Sequence, residues 1–311
     1  MILGIDTSNY TTSVALLNAS GELVDERRSV LEVQCGERGL RQSEALFQHL
    51  KNLPRLISEI GDSFEGDLTK VVVTSSPRSK AGSYMPVFLV GLGQAQSLTS
   101  MMNIPLKKVS HQEGHLMAGL WSAEKRLNKF LAVHLSGGTS DILKVKFVAK
   151  DKSFEVDELG ESNDLHAGQF VDRVGVKMGL PFPAGPHLEE LAKEGNLDTL
   201  SIPSSVKGYN MSFSGPTSAA MRAIEEGKSK KDIALALQRS IANSLEKVLK
   251  KGIEEEGIKD ILIVGGVAAN EYIRDRLRTR LEHKAVGAKL YFADPKYSTD
   301  NAVGVAVLGL E

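Results

Sequence analysis

The sequence is 311 residues long, with 38 Lys and Arg against 39 Asp and Glu, a net charge of -1 and 41% hydrophobic residues. Two lobes with separate cores fit within that length, and the balanced charge excludes a global field that would recruit nucleic acid unaided. A single cysteine, Cys35, excludes an internal disulfide framework and a cysteine-rich zinc site, and fits a reducing, cytoplasmic setting. Residues 1–6 carry no basic leader and every apolar run is broken well short of a bilayer span, so neither a signal peptide nor a membrane span is expected. Local basic runs at 228–231 and 274–284 read as solvated helix faces.

In chain order, the apolar run 2–5, a polar turn over 6–12 and Ser13-Val-Ala-Leu-Leu17 predict strand, turn and strand, and Gly21-Glu-Leu-Val-Asp25 continues the meander. Residues 42–60 have a helical pattern that Pro54 is expected to interrupt. Val71-Val-Val-Thr74 predicts a buried strand, followed by a loop rich in Ser, Pro and Gly that runs through Ser83. Residues 87–102 predict a largely buried helix in which Gly91, Gly93 and Ala95 permit close packing.

The pattern then restarts. Phe130-Leu-Ala-Val-His134 predicts a strand, Ser136-Gly-Gly-Thr-Ser140 a tight polar turn and Asp141-Ile-Leu-Lys-Val145 a returning strand. This repeats residues 2–17 in pattern, not in identity, and reads as an internal duplication. Further on, Ile261-Leu-Ile-Val264 runs into Gly265 and Gly266 and a helix carrying Asn270, a strand-to-helix turn of the kind that cradles a ligand. Residues 301–310 predict a final helix. Two related lobes clasping a nucleotide would use such turns, because Gly137 and Gly138 let backbone N–H groups close on phosphate oxygens. The same five residues also suit a plain hairpin turn. Neither a P-loop nor a Rossmann glycine fingerprint occurs.

His111-Gln-Glu-Gly-His115 places two imidazoles one helical turn apart on one face, close enough to share an ion. The alternative is that one of them caps the helix or packs in the core. A zinc protease would need its glutamate directly after the first histidine, where this chain has Gln112. Glu113 lies about 200° around the helix from either histidine and points away from such an ion. The best third ligand is Asp300, in a polar turn before the last apolar segment, although that position also suits a helix cap. Two imidazoles and a carboxylate would leave open positions on zinc or ferrous iron.

Taken together, eight segments in order resemble the TsaD family, once described as sialoglycoprotein endopeptidases and now associated with threonylcarbamoyladenosine formation in tRNA. They are Gly4-Ile-Asp-Thr-Ser8, Pro105-Leu106 ahead of His111 and His115, Ser136-Gly-Gly138, Ala167-Gly-Gln-Phe-Val-Asp-Arg173, Pro183-Ala-Gly-Pro186, Ser212-Phe-Ser-Gly215, Gly265-Gly-Val-Ala-Ala-Asn270 and Ser298-Thr-Asp-Asn-Ala302. The resemblance implies an α/β, actin-like ATPase (ASKHA) fold of two duplicated lobes, with nucleotide and metal in the interlobe cleft. It implies one divalent ion, iron or zinc, on His111, His115 and Asp300. It also implies contacts from Leu135, Ser136, Gly137, Gly138, Asp172, Gly185, Gly266 and Asn270 to an adenine nucleotide (ATP, ADP or an acyl-adenylate). The expected lobes are residues 1–108, joined by 296–311, and residues 109–295 with the metal-binding helix and the nucleotide platform.

The implied reaction moves a threonylcarbamoyl group from its adenylate to an adenosine of tRNA. Partner proteins would supply most of the positive surface for tRNA, with residues 274–284 as the one direct contact in this chain, and a TsaB-like partner or a second copy completes the assembly. The chain departs from the family at Tyr10 and Thr11, which replace an acidic pair, at Thr139-Ser140, at Gln96 in place of a lysine, and at Ser76-Pro-Arg-Ser-Lys80 and Gln42-Ser-Glu-Ala45. These are the changes of a diverged paralogue. They keep two other functions open, acyl or carbamoyl transfer to a different acceptor and a non-catalytic nucleotide- and metal-binding subunit. No residue is singled out as catalytic.

Overall fold

The computed structural model describes residues 1–8, 10–33, 40–63, 66–151 and 153–310; Cys35 lies outside the described residues. The chain begins with β1 (Ile2–Asp6), β2 (Thr11–Leu17), β3 (Leu23–Val30), α1 (Gln42–Gly61), β4 (Lys70–Ser76), α2 (Phe88–Met102), β5 (Leu106–Ser110) and α3 (His111–Ser122). It continues with β6 (Lys129–Leu135), β7 (Ser140–Val148), β8 (Ser153–Glu161), α4 (Ala167–Lys177), α5 (Gly185–Ala192), β9 (Ser205–Lys207), β10 (Asn210–Ser212) and α6 (Ser214–Glu225). Next come α7 (Lys230–Glu256), β11 (Asp260–Val264), α8 (Glu271–Leu281), β12 (Lys289–Phe292) and the short α9 (Pro295–Ser298) and α10 (Val303–Val307). Backbone proximity divides the chain into unit 1 (Met1–Arg126, Phe147–Glu155, Lys296–Glu311) and unit 2 (Leu127–Lys146, Val156–Pro295).

Unit 1 is built on a sheet of order β3-β2-β1-β4-β5. The first three strands form an antiparallel meander, and β4 and β5 run parallel to β1. The β-branched run Val71–Val73 is fully buried, as expected of a central strand. One face of the sheet packs Ile5, Val14, Leu16 and Val73 against Leu53, Leu56 and Ile60 of α1 and Ala95 of α2, and each of these Val, Leu and Ile side chains is worth about 1.5–3 kcal/mol of burial. Pro54 does not interrupt α1. The hydrogen bond it cannot donate would go to Leu50, and both residues face solvent, where water can serve the carbonyl. The burial of Leu53 and Leu56 on either side holds the helix together.

The helix α2 is buried along one stripe only. Gly91 lets it approach the sheet, since a Cβ there would stand 3.0 Å from Thr7 Oγ1 and 3.3 Å from Ile5 and Val73, whereas Gly93 meets nothing within 4 Å. Leu89 and Met101 are exposed. The expectation of a largely buried helix counted apolar residues without separating their faces.

Unit 2 repeats the plan. Its sheet has the order β12-β11-β6-β7-β8, with β6 and β7 antiparallel and β11 and β12 running parallel to β6 and to each other. Read from the meander outward, β8-β7-β6-β11-β12 corresponds strand for strand to β3-β2-β1-β4-β5, the duplication foreseen in the hairpins. Leu131, Val133, Ile261 and Ile263 share one core with Phe170 of α4, Phe213, and Ile241 and Leu245 of α7. This is the duplicated α/β architecture of actin-like ATPases.

The division counts α3 with unit 1, where the boundary expected at residue 108 had put it in the second lobe. Packing explains the difference. A Cβ at Gly304 of α10 would fall 2.1 Å from the Gly114 carbonyl and 2.4 Å from Ala118 N, so α10 lies against α3 backbone to backbone. A Cβ at Gly4 would fall 2.5 Å from Ala302 O, which sets α10 equally close to β1. Trp121 of α3 meets Tyr297 of α9 edge to face at 5.2 Å.

Candidate metal centre and nucleotide platform

β1, β4 and β5 are parallel neighbours, and their carboxyl ends bring Asp6, Thr74 and Ser110 to one edge of the unit 1 sheet, the usual place for a site in an open α/β sheet. Ser110 caps α3: its Oγ accepts from Glu113 N (3.2 Å), and Glu113 Oε2 accepts from Ser110 N (2.8 Å). The same carboxylate oxygen also accepts from Ser79 Oγ at 2.6 Å. Glu113 is thus committed to a capping box.

The imidazoles are buried and face each other, with Nε2 of His111 and of His115 3.0 Å apart. Asp300 Oδ1 lies 3.2 Å from His115 Nε2 and 3.5 Å from His111 Nε2. The capping role at the last turn falls to Asn301, whose Oδ1 accepts from Val303 N at 3.0 Å and whose Nδ2 donates to Tyr297 O and Thr299 O. Asp300 is thereby left to face the histidines.

The donor set passes a simple test of fit. Ligands about 2.0–2.1 Å from a tetrahedral or octahedral ion stand about 3.0–3.4 Å apart, and the three separations here are 3.0, 3.2 and 3.5 Å.

Asp6 is the functional group that the sequence reading missed. It is 1% exposed. Its Oδ2 accepts from His111 Nδ1 (3.1 Å) and Ser8 Oγ (2.8 Å), and its Oδ1 accepts from Thr74 Oγ1 (2.6 Å) and Ser8 N (3.1 Å). A carboxylate behind a ligating histidine fixes its tautomer: Nδ1–H of His111 donates to Asp6, which leaves Nε2 to face an ion. The readable signal was an acid closing an otherwise apolar strand.

Charge follows from this enclosure. Burial opposes a cationic His111, but Asp6 and Asp300 outweigh it and push the imidazole up to about 10. Burial, and then the charge on His111, holds His115 below its ordinary value. Asp300 is buried, which alone would raise it, yet the two histidines hold it well below the usual carboxylate range.

The residues expected at the nucleotide fall in unit 2. Leu135 ends β6, and Ser136 accepts through its carbonyl from Gly168 N at 3.2 Å, which ties the hairpin to the start of α4. Gly137 and Gly138 are exposed, and a Cβ on either meets nothing within 4 Å. Gly265, at φ 98°, presses so closely on Leu135 O that only glycine fits, and Gly266 opens the turn Gly266–Ala269. Asn270 caps α8 by accepting from Ile273 N at 3.0 Å, so it precedes the helix on which it was expected.

Asp172 of α4 accepts from Ala184 N at 2.8 Å beside Gly185, and burial raises its carboxyl. Leu135–Gly138 and Gly265–Gly266 therefore form one group at the carboxyl ends of β6 and β11, and Asp172 with Gly185 a second, linked to the first through α4.

Of the positions where the family carries acids, Tyr10 is 38% exposed and Thr11 is buried in β2. The basic run of α8 is solvated only in part: Arg278 and Arg280 keep about half of their side chains exposed, whereas Arg274 and Arg276 are drawn into the fold. Arg274 donates to Ala268 O and Ala293 O, both at 2.7 Å, Arg276 donates to Asn243 Oδ1, and Arg280 to Glu246.

Comparison with known proteins agrees with this architecture. The chain is 31% identical, over 316 aligned positions, to a tRNA N6-adenosine threonylcarbamoyltransferase from Thermotoga neapolitana, covering 100% of this chain and 93% of that protein. Among solved structures it resembles component A of the (R)-2-hydroxyglutaryl-CoA dehydratase of Acidaminococcus fermentans, with TM-score 0.59 and 17% identity over 98% of this chain and 96% of that one. It also resembles HypF of T. kodakarensis, with TM-score 0.63 and 16% identity over 99% of this chain and 47% of that one. These two likenesses speak for the fold alone. Residues 32–307 match the family profile of TsaD, tRNA N6-adenosine threonylcarbamoyltransferase, and the chain belongs to that family.

Proposed function

We propose that the chain transfers a threonylcarbamoyl group from its adenylate to the exocyclic amine of an adenosine in tRNA, in the cytoplasm, and that His111, His115 and Asp300 hold one zinc or iron ion. The observation that carries this reading is the convergence of the three donors on one point of unit 1, with Asp6 behind His111. When bound, such an ion supplies Lewis-acid stabilisation of negative charge on phosphate or acyl oxygens.

The chain's own residues position the substrate. Backbone N–H groups of Gly137 and Gly138 approach phosphate oxygens, and Leu135, Ser136, Asp172, Gly185, Gly266 and Asn270 border the rest of the adenine nucleotide. The leaving group is a phosphate, so the reaction asks for stabilised anionic oxygens. A protease-type base beside the histidines is not required, and Glu113 is held in its cap.

Three arginines of α8 are engaged within unit 2, so most of the cationic surface for tRNA comes from partner proteins. Phe47 and Leu50 of α1 and Leu89 and Met101 of α2 are exposed and suit an apolar contact with a TsaB-like partner or a second copy. A second reading, acyl or carbamoyl transfer to another acceptor, is favoured by Tyr10 and Thr11 in place of the family's acids.

The test is nucleoside analysis of tRNA from cells lacking this protein and any second family member, complemented with wild type or His115→Ala. Wild type should restore threonylcarbamoyladenosine and His115→Ala should not. Failure of wild type to restore it favours the other acceptor, and full restoration by His115→Ala removes the metal from the reaction.

A further inference from the structure

We propose that Arg28, Tyr297 and Trp121 brace the turn that carries Asp300, and that Arg28 and Tyr297 are positioning residues for the ion. The proposal rests on the metal reading above and deepens it.

Asp300 belongs to a stretch that cannot order itself. It lies between α9 and α10, of four and five residues, and a single helical turn in water is unstable without packing. After Asp300, the Asn301 cap and the seat of Gly304 on α3 fix the chain. Before it, the ties come from β3 and from the far end of α3.

Arg28 Nη1 donates to Lys296 O at 2.8 Å, and the guanidinium lies over the Tyr297 ring, with Cζ 5.7 Å from the centroid. Glu26 accepts from Arg28 Nη2 at 2.7 Å and pairs with Lys296 Nζ at 2.8 Å, so one carboxylate joins the strand to α9. Only 21% of the Arg28 side chain and 14% of Glu26 are exposed, which shields this pair better than a free surface ion pair. Trp121 meets the Tyr297 ring edge to face at 5.2 Å. Tyr297 O accepts in turn from Asn301 Nδ2 at 3.0 Å, a bond that spans Asp300.

The brace reaches the ion through one donor. His111 and His115 are set by α3, and His111 also by Asp6. Loosening residues 296–299 therefore moves Asp300 and leaves the imidazoles in place. An ion that needs all three donors binds only chains in which the turn is seated, and its apparent affinity falls in proportion to that fraction. Arg28 and Tyr297 keep the fraction high.

The experiment is zinc titration of the full chain against a chromophoric chelator, with the emission of Trp121, the single tryptophan, recorded in parallel. Arg28→Gln and Tyr297→Leu should each bind zinc about tenfold more weakly than wild type, as a turn seated in about a tenth of chains requires. Tyr297→Phe keeps the ring and should stay close to wild type. In an Asp300→Ala background, at zinc levels that load the two histidines, Arg28→Gln should cause no further loss, because the donor it positions is gone. Zinc should leave the Trp121 emission of wild type unchanged, since its turn is already seated, and should return the emission of Arg28→Gln to that of wild type. Should Arg28→Gln fail to fold, Tyr297→Leu carries the same comparison of affinities.

Zinc bound as tightly by Arg28→Gln and Tyr297→Leu as by wild type overturns the positioning role and leaves the metal reading standing. An equal loss with and without Asp300, or an Arg28→Gln emission that saturating zinc does not restore, makes the brace a general support of unit 1 and also overturns the proposal. Wild type that binds no zinc overturns both readings.

Discussion

Loading the metal centre should expel a proton, because the ion takes the place of the positive charge on His111. In the ion-free chain that imidazole is cationic, lifted to about 10 by Asp6 and Asp300 against the effect of burial. A metal needs the Nε2 lone pair, so the proton there must leave. His115 and Asp300, both held low, contribute none above about pH 7. Release at pH 7.5 should be about one proton per ion, and affinity should rise about tenfold per pH unit between about pH 7 and 9. Across that range the gain is about a hundredfold, or about 2.7 kcal/mol.

The sign for folding runs the other way. A raised histidine stabilises the ion-free chain fully below about pH 6.5 and loses that contribution as pH rises through the folded value. Calorimetry in two buffers of different ionisation enthalpy counts the protons. Asp6→Asn removes the nearest anion, so its count should be smaller and its pH slope flatter than wild type, and comparing the two proteins cancels any proton lost from water on the ion. A wild type that binds zinc with no proton release and a flat pH profile refutes the assignment of charge to His111.

Gly138→Val tests the hairpin as a phosphate cradle. The added side chain starts in open space, so unfolding stability should stay within about 0.5 kcal/mol of wild type, while calorimetry should show ATP affinity falling about tenfold or more; unchanged affinity removes the hairpin from the phosphate site. Gly304→Ala tests the seat of α10. Its Cβ would stand 2.1 Å from Gly114 O, so urea unfolding should show a loss of about 1–3 kcal/mol or more, with lowered metal content as Asp300 shifts, and wild-type stability would contradict the close contact.

Local signals in the sequence were sufficient wherever an element is defined by its own residues. The apolar runs at 2–5, 71–74, 130–134 and 261–264 are strands, and the histidine spacing lies on a helix with both rings on one face. Ser110 and Glu113 even spell the capping box that keeps Glu113 from the imidazoles. What escaped were relations between distant segments.

The hydrogen bond from His111 to Asp6 spans 105 residues, and nothing near either one announces it. The close seat of Gly304 on Gly114 decides which unit owns α3, yet a glycine in sequence does not name its neighbour. Arg274 looked solvated because its charge suggested water, while its guanidinium in fact ties the turn after β11 to Ala293, just past β12, through two carbonyls. Pro54 looked like a break because the rule for it ignores which face of the helix loses the bond.

The distance along the chain between the metal donors also sets an order of events during biosynthesis. Asp300 is made 185 residues after His115, and it reaches the histidines only when α10 has slid between β1 and α3. A ribosome-bound chain that stops short of Asp300 presents two imidazoles without the carboxylate, a pair with far weaker hold on an ion. Ion capture therefore cannot guide the folding of unit 1. Tight capture comes after the unit has closed, and a chain shortened before Asp300 should hold the ion far more weakly at any given supply of metal.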